Sequence, residues 1–158
     1  MRSIALALLA AALLVSCGDQ PKPASPEPAR TADLSRPSDE SRRFPLANRT
    51  ATEVAGNHLL GKAYMPGGTL AHFRRGKTDY QMFVAKAPSA QDAAFLLLDW
   101  RKAMTAPQIV PEFGGYSGQN GAGVPVFVFC KNSWIAGVVG LPAAQANLEA
   151  RSLAAHLD

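Results

Sequence analysis

A chain of 158 residues, 47% hydrophobic and 18% charged, can fill one modest core. Its net charge of +4 is too weak and scattered to point to nucleic acid. Its two cysteines are Cys17 and Cys130, and a disulfide framework is excluded.

One positive charge, Arg2, precedes an apolar run from Ile4 to Val15. That is an n-region and h-region of secretory type, shorter than the roughly 20 residues a membrane-crossing helix needs. Leu14-Val15-Ser16-Cys17 resembles the lipobox of bacterial lipoproteins. The resemblance implies that residues 1–16 are a signal peptide cut before Cys17. It also implies diacylglycerol on the Cys17 sulfur and an acyl chain, such as palmitate, on the new amino terminus. At about 0.8 kcal/mol per buried methylene, two or three chains make a lasting anchor. In Gram-negative lipoproteins an aspartate after the cysteine favours the inner membrane. Here Gly18 follows, so the expectation is a periplasm-facing protein in the outer membrane.

Residues 17–45 carry six prolines, alternating charges and only Leu34 and Phe44 as large apolar residues. Such a stretch buries too little surface to offset the entropy of ordering, so it reads as a disordered tether with polyproline character. Residues 46–158 then form a single domain.

Leu59 to Tyr64 reads as a strand at the start of that domain. Thr69 to Arg74 and Asp79 to Ala87 read as strands joined by a turn at Arg75 to Thr78. A helix follows, with Ser89 as N-cap, Asp92 three residues on, and Ala93, Leu96, Trp100 and Ala103 on one face. Pro107 ends it at the latest. Gly114 to Gly123 reads as a flexible glycine-rich loop, with Tyr116 marking a counterpart of the first strand. Val124 to Cys130 and Ser133 to Val139 form a second strand pair, with Lys131-Asn132 as its turn. Pro142 then opens a last helix with Ala146, Ala150, Leu153 and Leu157 as its stripe.

Sliding the chain by 54 residues aligns the two parts: Phe73 meets Phe127, Lys77 meets Lys131, Tyr80 meets Trp134, and Pro88 meets Pro142. The expected class is α+β: an antiparallel sheet from two tandem strand–strand–helix units, an internal duplication, with both helices on one face and a pseudo-twofold between the halves. The stretches 80–104 and 126–157, with "SAQDAAFLLLDW" and "VFVFCKNSWIAGVVGLPAAQANLEARSLAAHL", resemble an uncharacterised family of bacterial envelope domains. That resemblance implies a fold and carries no activity.

Ala71 to Thr78 fits a loose phosphate-loop pattern, but strand follows it where the motif needs a helix N-terminus. Ser117 lacks the second glycine of a nucleophile elbow, since Gln119 stands there. His58, His72 and His156 have no partner at ligand spacing, so no metal and no other cofactor is expected. Cys130, after an apolar run, reads as an inert thiol, and Trp100 and Trp134 as core residues. Arg74, Arg75 and Lys77, with Lys131 at the matching turn, form the candidate anion-binding turn for lipid headgroups or an acidic polymer.

Two functional expectations follow. The first is a non-enzymatic module held at the membrane by Cys17 that binds an envelope protein partner or supports an assembly. The second is a small ligand-binding or hydrolytic periplasmic domain built on His72 and the Gly114–Gly123 loop. A concave site gathering His72 with Arg74 or Ser117 is what the second requires.

Overall fold

The computed structural model describes residues 37–158. The signal peptide, Cys17 and most of the expected tether lie outside the described residues.

Seven strands form one antiparallel sheet: β1 (Arg49–Asn57), β2 (Pro66–Arg75), β3 (Thr78–Lys86), β4 (Thr105–Val110), β5 (Gly115–Gln119), β6 (Pro125–Lys131) and β7 (Trp134–Val139). Their order across the sheet is β1-β2-β3-β7-β6-β5-β4. Helix α1 (Ala90–Ala103) follows β3, and α2 (Ala143–Ala154) follows β7. The α+β class holds.

The two helices lie on opposite faces of the sheet, not on one. Tyr80, Met82 and Val84 of β3 point to the same side as Phe127, Phe129, Trp134 and Val138, beneath Ala146, Ala150 and Leu153 of α2. The alternate residues Phe83, Ala85, Val126, Val128 and Ile135 point the other way, beneath Leu97 and Trp100 of α1. Successive strand side chains alternate between faces. The central strands are apolar at both parities, so a single covered face would leave half of these residues in water.

The pseudo-twofold also fails. Strands β3 and β7 pair antiparallel, with Phe83 opposite Gly137. A twofold exchanging them would run perpendicular to the sheet and keep both helices on one face. The hairpin turns disagree too: Gly76-Lys77 joins β2 to β3, and Asn132-Ser133 joins β6 to β7, an offset of 56 instead of 54. The buried stripes are Ala93, Leu97 and Trp100 in α1, but Ala146, Ala150 and Leu153 in α2. At the 54-residue offset these differ by one position, about 100° around a helix. The strand–strand–helix order occurs twice, in two different packings.

Phe83 explains one sequence feature near the centre. A Cβ on Gly137 would lie 2.6 Å from Phe83 Cε1 and 2.4 Å from the Phe127 carbonyl oxygen. Glycine is what lets the Phe83 ring lie across β7, where it stacks on Trp100 at 5.5 Å between centroids.

Three other expectations are corrected. Leu59–Gly61 is a 3-10 turn, and the first strand lies earlier, at β1. The glycine-rich stretch is mostly ordered: Gly115–Gln119 is β5, and the Asn120 carboxamide accepts from the Ala122 and Val124 amides to shape the loop. The domain also starts before residue 46. The Glu40 amide donates to the Thr69 hydroxyl at 3.0 Å, Arg43 pairs with Glu40 at 2.7 Å, and Phe44 is only 3% exposed.

Candidate functional site

A concavity of about 560 Å³ lies on the α1 face where that helix leaves the sheet uncovered. It is lined by Thr50, His72, Arg74, Asp79, Gln81 and Val139, among others. The β2–β3 turn sets its register, placing His72 opposite Gln81 and Arg74 opposite Asp79. Cross-strand neighbours on one face are close enough to bond. His72 Nε2 lies 3.2 Å from Glu53 Oε1 of β1, and Gln81 Nε2 lies 3.3 Å from His72 Nδ1. Both ring nitrogens are thus engaged, Nδ1 accepting from the carboxamide and Nε2 donating to the carboxylate.

Arg74 and Asp79 form a two-point pair, at 2.6 and 3.1 Å. Each shifts the other toward its charged form: Asp79 hydrogen-bonding raises the Arg74 pKa, and Arg74 hydrogen-bonding lowers that of Asp79. The hydroxyl of Thr50 donates to the His72 carbonyl. The groove thus gathers His72 with Arg74, as the ligand-binding or hydrolytic expectation requires, but pairs its charges internally, and Phe73, Val124 and Val139 also line it.

The candidate anion-binding turn is not one site. Arg74 faces the α1 side and is tied to Asp79, while Arg75 faces the α2 side and pairs with Glu149. Lys131 belongs to the opposite end of the sheet, because β7 begins beside the end of β3. There its ammonium donates to the Ala154 carbonyl, satisfying a helix-end acceptor. Of these four residues, Lys77 at the tip of the turn is the one with no ion-pair partner among the described residues.

Ser117 and His72 lie on opposite faces. Ser117 sits across from Phe127, on the α2 side, and lines a separate groove of about 330 Å³. His58 and His156 are elsewhere again; His156 Nδ1 meets the Ser152 carbonyl at 2.8 Å. No three His, Cys, Asp or Glu side chains gather as a metal site among the described residues. Cys130 donates to the Ala93 carbonyl at 3.0 Å, and burial pushes its thiol up to about 12. Trp100 and Trp134 are core residues, each 2% exposed.

Sequence reading missed a second groove, about 440 Å³, between the 3-10 turn and α1. His58, Tyr64, Asp92, Phe95 and Asp99 line it. The Tyr64 hydroxyl is buried with no hydrogen-bond partner, and burial, helped by the Asp99 charge, pushes it up to about 12. Nearby His58 and Leu60 adopt left-handed backbone, at φ 49° and 57°. Of the partners of His72, Gln81 was readable from the turn expected at Arg75 to Thr78, which sets Arg74 opposite Asp79. Glu53 was not, since β1 gave no strand signal.

Among the described residues no helix is long and apolar enough to cross a membrane. Comparison with protein families, curated proteins and solved structures finds no match.

Proposed function

We propose that this is an envelope protein anchored by lipid at Cys17, whose domain binds a protein partner and leaves it chemically unchanged. The observation that carries this reading is the His72 groove. Its concave shape suits recognition, while its imidazole is held by Glu53 and Gln81, its guanidinium and the Asp79 carboxylate are paired, and the Thr50 hydroxyl is spent on a backbone carbonyl. A group already bonded in this way must lose those bonds before it can act as base or nucleophile. The lipobox resemblance at Leu14–Cys17 supports placement at the membrane surface, with the outer membrane favoured by Gly18.

Two measurements test the two parts. Cys17→Ala moves the protein out of the membrane fraction and changes its mass; retention there at unchanged mass would sink the anchor. A photo-crosslinking amino acid at Gln81 yields a discrete adduct in cells, absent from a control at the exposed Leu148 of α2. No adduct, with a small molecule co-purifying in stoichiometric amount, would favour ligand binding instead. That second reading draws on the same groove, where His72 and Arg74 line one concavity.

A further inference from the structure

The two edges of the sheet are finished differently. Edge β4 is short, its register breaks between Thr105 and Gln108, Ala106 sits at φ 50°, and Pro107 has no amide to donate. These are devices that close an edge to further pairing. Edge β1 has nine residues and no proline, and its one irregularity lies at its start, between Arg49 and Ala51. Most of it is exposed, Val54 by 42%.

We propose that β1 pairs antiparallel with β1 of a second copy of this chain, joining two sheets into one of fourteen strands. The regular part of β1 runs from Ala51 to Asn57, and its midpoint is Val54. Pairing centred there uses the whole regular stretch. Val54 meets Val54, Thr52 meets Gly56, Glu53 meets Ala55, and Ala51 meets Asn57. No like charges stand directly opposite, which is the arrangement cross-strand energetics favour. The two Glu53 carboxylates fall on a diagonal, each held by its own His72 at 3.2 Å. On the α2 side, Val54 and Gly56 share a groove of about 490 Å³ with Pro37 and Asp39, and the second copy's Val54 enters it.

The position of Pro37 favours a second copy as the occupant. A Cβ on Gly67 would lie 2.6 Å from Pro37 Cγ and 2.3 Å from the Gly56 carbonyl oxygen, so Pro37 sits on the α2 face beside β1. The twofold that makes two β1 strands antiparallel runs perpendicular to the sheet and preserves faces. Both copies then place Pro37 beside the same axis and on the same face. Cys17 lies twenty residues upstream of Pro37 in each. This placement suits two chains anchored in one leaflet, where confinement raises their effective concentration. That last point rests on the lipoprotein reading; the strand pairing does not.

The test is disulfide trapping of the full chain in bacterial membranes. Residues directly opposite in an antiparallel pair have Cα atoms about 4.5–5.5 Å apart, within disulfide reach. Val54→Cys yields a covalent homodimer on mild oxidation, while Thr52→Cys and Leu148→Cys do not. Unchanged melting of the reduced variants shows that the substitutions leave the domain folded. A monomer from folded Val54→Cys overturns the proposal, as does equal trapping from Thr52→Cys. So does trapping of Val54→Cys onto a different protein, which would make β1 a receptor for a foreign strand. A Cys17→Ala chain that stays in the membrane at unchanged mass removes the anchor, and the Val54→Cys result still decides the pairing.

Discussion

Glu40 shows how one carboxylate fastens a chain segment. Burial raises its pKa, but hydrogen bonds from Ser38 and Arg43 and the Arg43 charge outweigh burial and leave it below the ordinary glutamate value. A depressed pKa in the folded state gives stability that is present above the unfolded value, about 4.3, and is lost as pH falls through the folded value. Glu40→Gln should therefore melt lower than the parent at pH 7, with the gap closing in acid; thermal melts from pH 7 to 3 check this. Cys130 makes the opposite case. Its thiol, covered under α1 and raised to about 12, should react with iodoacetamide at pH 8 at least about a hundredfold more slowly than in denaturant. Mass spectrometry of timed aliquots reads the ratio.

Among the elements, α1 and the hairpins were legible because local chemistry defines them. The Ser89 hydroxyl accepts from the Asp92 amide at 3.1 Å, as the Ser-x-x-Asp spacing predicts. Ser89→Ala should cost about 1 kcal/mol, read by denaturant unfolding. Its helical face was legible in part: Ala93 and Trp100 are buried as expected, but Leu97 takes the place given to Leu96 and Ala103 is exposed. The two edge strands were not legible, for different reasons. β1 has no buried face and so no alternation of apolar and polar residues. β4 carries Pro107, which argues against a strand anywhere but at an edge. The Glu53–His72 contact depended on β1 and was hidden with it. The side chosen by each helix was hidden as well, because apolar runs such as Val126–Phe129 do not say which parity meets which helix.

For the whole molecule, the main revision is where the domain begins. Phe44 is 3% exposed and packs with the α2-side core, so the domain needs residues before 46. Phe44→Ala should cost about 3 kcal/mol, a loss visible as a clear drop in melting temperature. The lower end of the expected range is appropriate because this residue sits at the margin of the core. Arg43 ties the same segment to the far end of the chain: its guanidinium lies 4.3 Å over the Trp134 ring and donates to the His156 carbonyl.

This clamp sets the path of mechanical load. A pull arriving from upstream of Pro37 passes through Glu40, Arg43 and Phe44 into β2, β7 and the end of α2. It also reaches the start of β1, where the Arg49 guanidinium donates to the Ser41 carbonyl. Drag on the domain would strain the Glu40–Arg43 clasp before it reached the strands.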